Sequence, residues 1–163
     1  LNRLSPIMGI CLRADAPILI HTNEPVGHLY PGKTPNTLKQ IYDLVRRFPD
    51  NKLVLAHWGG GIFFYSLLKK EVRESLNNVW YDTAASPYLY RSDIYRYAVD
   101  LVGTDKILFG TDYPLLKPER YFKELDESDL GRGDIDKICG GNALGLLNLQ
   151  VESVSEDVTN SDM

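Results

Sequence analysis

Four short apolar runs, each ending in or beside a histidine or an aspartate, constrain this chain more than any other feature. They are Pro17–Thr22 (PILIHT), Lys52–His57 (KLVLAH), Asn78–Thr83 (NVWYDT) and Lys106–Thr111 (KILFGT). Each is rich in β-branched or aromatic residues and closes on a turn-forming stretch, as a strand buried on both faces does. Their starts lie 35, 26 and 28 residues apart, the size of one strand plus one crossover helix.

Helical patterns fill the intervals. Thr34-Pro35 reads as a cap with proline at the first helical position, and Leu38, Ile41, Tyr42, Val45 and Phe48 then form one apolar stripe. Phe64, Leu67, Leu68, Val72 and Leu76 repeat the spacing, as do Ile94, Tyr97, Ala98, Leu101 and Val102 behind a Ser92 cap. Pro118 opens a short helix through Leu125, and two more are expected over Ile135–Cys139 and Asn142–Leu147. The order is strand, helix, four times over, which defines an α/β protein with a parallel sheet. A closed eight-stranded barrel takes roughly 250 residues. These four units are therefore either a small open sheet or half of such a barrel.

Composition narrows the function classes. The 163 residues are 44% apolar and 25% charged, enough for a core. The net charge of −4 comes from the end of the chain: Glu152, Glu156, Asp157 and Asp162 have no basic partner after Leu149, and residues 1–149 balance 18 acids against 18 bases. Residues 1–149 thus read as one domain, and 150–163 as an acidic, disordered, solubilising tail. A neutral body gives no basic footprint for nucleic acid. No apolar run approaches a membrane span, and no amphipathic basic helix suggests a membrane surface. Cys11 and Cys139 are too few for a disulfide scaffold, so a reducing, cytoplasmic setting is expected. No Gly-rich loop follows the first strand, and the glycines after His57 lack the Lys-Ser/Thr of a phosphate loop, which argues against nucleotide binding.

The polar residues fall in register. His21, His57, Asp82 and Asp112 occupy the carboxyl ends of strands one to four. In parallel α/β folds that end forms the active-site face, so four groups able to bind metal or move protons share one rim. Any one of them alone reads equally well as a cap or a loop anchor. After His57, Trp58 and the three glycines Gly59–Gly61 allow positive φ and close approach to a ligand, or simply a tight turn. His28 and Tyr30 lie on the loop after His21 and can reach the same pocket. Trp58, Tyr88 and Tyr113 either line an aromatic pocket or pack the core.

Taken together, PILIHTNEP, LVLAHWGGG, NVWYDTAAS, ILFGTDYP and GNALGLL resemble the C-terminal half of the amidohydrolase-related family, in the branch of metal-dependent TIM-barrel hydrolases that includes aminocarboxymuconate-semialdehyde-decarboxylase-like enzymes. The resemblance implies strands 5 to 8 of a TIM barrel. It implies His21 and Asp112 as metal ligands, and His57 and Asp112 as catalytic groups. Trp58, Gly59, Gly60 and Tyr113 would be substrate contacts. No His-x-His pair occurs in the chain, so the ligands that the family draws from strand 1 are expected outside it.

Imidazole and carboxylate donors suit a divalent metal, Zn²⁺ first. The expected activity is hydrolysis of a small, carboxylated substrate by metal-activated water. Non-oxidative decarboxylation on the same scaffold is the alternative. A half-barrel without activity, serving as an interaction module, is a reading of another class. Half a barrel leaves two strand edges unpaired, so homodimerisation or aggregation of the isolated chain is expected.

Overall fold

The computed structural model describes residues 2–27 and 29–150. Four strands, β1 (Ile18–Ile20), β2 (Leu53–Leu55), β3 (Val79–Asp82) and β4 (Ile107–Leu108), form one parallel sheet in the order β1-β2-β3-β4. Each strand lies inside one of the apolar runs. Register is set by Ile18 opposite Leu53, Leu53 opposite Val79, and Tyr81 opposite Ile107.

Side chains alternate across a strand, and the two sheet faces differ. One face carries Leu53, Leu55, Val79, Tyr81 and Ile107 into the main core. There they meet Ile41, Leu44 and Val45 of α2 (Leu38–Arg47) and Tyr95 and Ala98 of α5 (Ile94–Val102). The other face carries Leu19, Val54 and Trp80 in one row and Leu108 beyond them. Leu146 and Ala143, of a C-terminal helix over Asn142–Leu146, cover Val54 and Leu108. Leu19 remains 66% exposed, and among the described residues β1 and β4 each pair on one side only. The sheet has the strand order and covering helices of four consecutive barrel units, with its interior face partly bare.

Local chemistry moved several boundaries. The cap of α2 is Thr37, not Thr34. Its hydroxyl accepts the Gln40 N–H at 3.2 Å, and the Gln40 amide oxygen accepts the Thr37 N–H at 2.9 Å. This reciprocal box satisfies two orphan donors at once. Thr34 instead donates its N–H and hydroxyl to Asn23 Oδ1, at 2.9 and 2.8 Å, and ties down the loop after β1. Thr37→Ala is expected to lower the stability of the protein carrying this chain by about 1 kcal/mol, read as a shift in the urea midpoint.

The single helix expected over Phe64–Leu76 does not form. Residues His57–Leu67 make successive tight turns, and only Lys70–Ser75 (α3) is α-helical. His57, Trp58, Gly59, Gly60 and Gly61 all have positive φ, and a left-handed turn cannot propagate as a right-handed helix. Phe64, Leu67 and Leu68 are left exposed in consequence.

A short α4 (Ser86–Leu89) follows β3, and α6 (Pro118–Asp126) starts at its proline as expected. α5 begins after Asp93 with no side-chain cap, so Ser92 does not cap it. The last pair of helices runs as one element: α7 (Arg132–Asp136), a wide π turn over Lys137–Gly141, then α8 (Asn142–Leu146). Asn142 of the GNA segment donates to the Thr104 and Ile107 carbonyls, each at 2.8 Å, and pins α8 to the start of β4. A further helix, α1 (Ser5–Arg13), precedes β1. The sequence hid it because Ile7, Met8, Ile10, Cys11 and Leu12 wrap its circumference rather than forming a stripe; only Met8 is buried. Of the tail expected over 150–163, residues 151–163 lie outside the described ones.

Candidate active site

β1 and β2 are tied together at their carboxyl ends. The Ala56 N–H donates to the Ile20 carbonyl at 2.9 Å, and the Thr22 hydroxyl donates back to the Ala56 carbonyl. The two histidines that follow are thereby placed side by side: the His21 and His57 ring centroids are 5.0 Å apart, edge to face. Asp112, beyond the end of β4, faces the same cavity of about 360 Å³. Tyr30, Tyr88, Leu89 and Leu115 supply an aromatic and apolar wall. Three of the four rim groups thus line one pocket. Asp82, the fourth, lies beneath it.

Asp82 is buried, and its Oδ1 accepts two backbone N–H groups, from His57 at 2.9 Å and from Ala84 at 3.0 Å. Burial holds its carboxyl above the usual carboxylate range, with those two hydrogen bonds opposing. Its work is to clamp the left-handed turn at His57.

The His57 ring is oriented from the far side. Its Nδ1 lies 3.0 Å from the Ala84 carbonyl. A carbonyl only accepts, so Nδ1 carries a proton, and in the neutral ring Nε2 keeps its lone pair. His21, just past β1, is an exposed residue that lines the cavity. Desolvation, and then the neighbouring His57 imidazole, hold the His21 imidazole below the usual histidine range, against the pull of Asp112 and Glu24.

Backbone strain concentrates on this rim. His57, Trp58, Ala85 and Asp112 have φ between 55° and 58° without being glycine. Such conformations cost about 1–2 kcal/mol each and persist where surrounding contacts over-determine them.

The expected substrate contacts divide differently. Trp58 is fully buried, donates its indole N–H to Ser86 Oγ at 2.9 Å and packs edge to face on Tyr95. Gly59 and Gly60 are buried beside it. These three support the rim from below and are not among the residues lining the cavity. The reason for the glycines is steric: a Cβ on Gly60 would sit 2.4 Å from the Asn23 carbonyl oxygen. Tyr113 is 75% exposed and also off the lining, whereas Tyr88 is on it. His28 lies outside the described residues.

The donor types fit a divalent cation, but the number does not. Among the described residues no three His, Cys, Asp or Glu side chains converge to hold a metal ion. His21 and Asp112 are a partial set.

Sequence reasoning missed Ala84, Ala85 and Tyr121, which act through backbone groups or a single hydroxyl. Tyr121 Oη accepts the Ala85 N–H at 2.9 Å and donates to the Thr111 carbonyl at 2.7 Å. Burial pushes its hydroxyl up to about 12, so it stays a proton donor. In the sequence it is one more aromatic at core spacing on a helix.

A parallel α/β sheet with imidazoles and a carboxylate gathered at its carboxyl edge is the arrangement of consecutive (β/α) barrel units. A sequence profile of the family described as Amidohydrolase matches residues 1–149, and the chain belongs to that family. A 2-amino-3-carboxymuconate-6-semialdehyde decarboxylase of Dictyostelium discoideum is 27% identical, over 90% of this chain and 48% of its own length. Among solved structures, a dihydroxybenzoic acid decarboxylase from Polaromonas, with bound manganese and the inhibitor 2-nitroresorcinol, superposes with a TM-score of 0.72 at 21% identity, over 90% of this chain and 54% of that one. An amidohydrolase of Burkholderia multivorans with bound zinc superposes at 0.62 and 16% identity, over 88% and 56%. The two structures share the fold. The chain spans about half the length of these relatives. Among the described residues no helix is long and apolar enough to cross a membrane.

Proposed function

We propose that this chain supplies half of the catalytic centre of a metal-dependent, non-oxidative decarboxylase acting on an unsaturated or aromatic carboxylic acid. The four strands are then the last four of eight. The observation that carries the reading is the shared cavity: His21, His57 and Asp112 line it together with Tyr30, Tyr88, Leu89 and Leu115. Such a wall suits a flat, unsaturated carbon skeleton, and the relatives named above include decarboxylases of acids of that kind.

In this reading His21 and Asp112 contribute donors to a divalent ion whose remaining ligands lie elsewhere. The bound ion would hold the substrate's oxygens and polarise them. Zinc was the first expectation from donor types; relatives hold manganese or zinc, and both remain candidates. Asp112 relays a proton to the carbon bearing the carboxylate. When the carbon–carbon bond breaks, its electron pair restores the double bond, carbon dioxide leaves, and solvent reprotonates Asp112. His57, with Nδ1 turned to the Ala84 carbonyl, offers Nε2 of its neutral ring to a substrate hydroxyl or bound water.

Hydrolysis, the first expectation, is the second reading, favoured by the family's own description. There Asp112 takes a proton from water as it attacks a carbonyl, and His57 orients that water.

The test uses the full-length protein. Wild type is expected to hold more metal than His21→Ala or Asp112→Ala by elemental analysis; equal metal in all three removes the ligand assignment. Release of carbon dioxide from a dihydroxybenzoate or carboxymuconate-type acid identifies decarboxylation, whereas uptake of water across a cleaved bond identifies hydrolysis.

A further inference from the structure

A hydrogen-bonded chain of one polarity runs from the His57 imidazole to the backbone of Asp112. Nδ1–H of His57 meets the Ala84 carbonyl at 3.0 Å. The other end of that peptide unit, the Ala85 N–H, donates to Tyr121 Oη at 2.9 Å. The Tyr121 proton goes to the Thr111 carbonyl at 2.7 Å, and that peptide unit ends in the Asp112 N–H. Every link has only one possible direction, because carbonyls accept and amides donate. Aligned links of this kind polarise and strengthen one another in a dry interior. Tyr121 is fully buried, with its ring against Phe109.

Tyr121 joins two loops that each hold a left-handed, non-glycine residue. Ala85 and Asp112 both have φ of 58°, on separate loops after β3 and β4. The Thr83 hydroxyl also ties these loops, donating to the Gly110 carbonyl at 2.9 Å and accepting the Gly110 N–H at 3.0 Å; Tyr121 is the hydroxyl that reaches Ala85 and Thr111.

We infer that Tyr121 is a positioning residue that couples the ring orientation and tautomer of His57 to the placement of Asp112. It touches neither substrate nor metal. The consequence for catalysis rests on the roles given above to His57 and Asp112; the coupling itself does not.

The test is nitrogen NMR of isotopically labelled histidine in the full-length, chelator-treated protein, at alkaline pH where the imidazole is neutral. His57 is assigned by its loss in His57→Gln. Wild type is expected to show Nδ1 protonated and Nε2 bare. In Tyr121→Phe the Ala85 N–H and Thr111 carbonyl lose their partner, and the His57 signals are expected to move toward a mixture of tautomers. Tyr81→Phe is the control: it deletes another buried hydroxyl, one with no hydrogen-bond partner in the structure, and is expected to leave His57 unchanged. On an identified substrate, Tyr121→Phe is expected to lower kcat by about tenfold with KM little changed. A wild-type His57 protonated on Nε2 overturns the inference even if the variant does not fold. So does an unchanged His57 spectrum in a folded Tyr121→Phe, or an equal change in Tyr81→Phe. A shifted tautomer with no activity on any acid tried leaves the coupling standing and counts against the proposed reaction alone.

Discussion

Gly60→Ala is expected to destabilise the protein carrying this chain by about 3 kcal/mol or more, the largest effect of any single methyl group here. Two costs combine. Gly60 has φ of +61°, where an L side chain loses about 1–2 kcal/mol. The new Cβ would also lie 2.4 Å from the Asn23 carbonyl oxygen and 2.9 Å from its carbon. Backbone cannot swing aside as a side chain can, and overpacking of this kind costs typically about 1–3 kcal/mol more. Asn23 is itself fixed, because its side chain accepts both hydrogen bonds from Thr34. Gly61→Ala separates the two terms. Its φ is +88°, but the nearest atom to a new Cβ is Tyr90 Oη at 4.0 Å, so only the conformational cost of about 1–2 kcal/mol is expected. Urea midpoints of the two variants against wild type measure the difference. Equal losses would mean that the close approach to Asn23 is not what fixes this glycine.

His57→Gln is expected to reduce turnover by at least about a hundredfold on the substrate that the full-length protein converts. Glutamine keeps the backbone N–H that Asp82 accepts, and its amide can still reach the Ala84 carbonyl. It lacks only the basic imidazole nitrogen. Stability should therefore fall far less than in Gly60→Ala, and the loss should appear in kcat rather than KM. Unchanged kcat in a folded variant would remove His57 from the chemistry and leave it a structural histidine of the β2 turn.

Much of the architecture was legible because it depends on local pattern. The strands lie within the four apolar runs, and the parallel order follows from the spacing of strand and helix. The rim positions of His21, His57 and Asp112 were readable because a polar residue closing an apolar strand is conspicuous. What the residues did not disclose depends on groups without side-chain identity. The capping of α2 by Thr37 rather than Thr34 turned on which threonine had a glutamine three residues on and which had Asn23 within reach. The helix expected through Phe64 was interrupted by a left-handed turn whose handedness is held by Asp82, 25 residues later.

The substrate contacts show the same division. Trp58 and the glycines beside it look equally suited to a pocket wall or to its foundation, and only their depth in the core assigns them to the foundation. Tyr121 is the plainest case, since its hydroxyl matters for the two loops it meets, an N–H on one and a carbonyl on the other, far apart in the chain. Sequence alone determined the parallel α/β class and the polar rim, because hydrophobic periodicity and strand-end position are short-range properties. Tertiary structure alone decided which rim groups share a cavity, which proton His57 carries and which residues hold the strained turns, because those depend on backbone hydrogen bonds and close packing between segments distant in the chain.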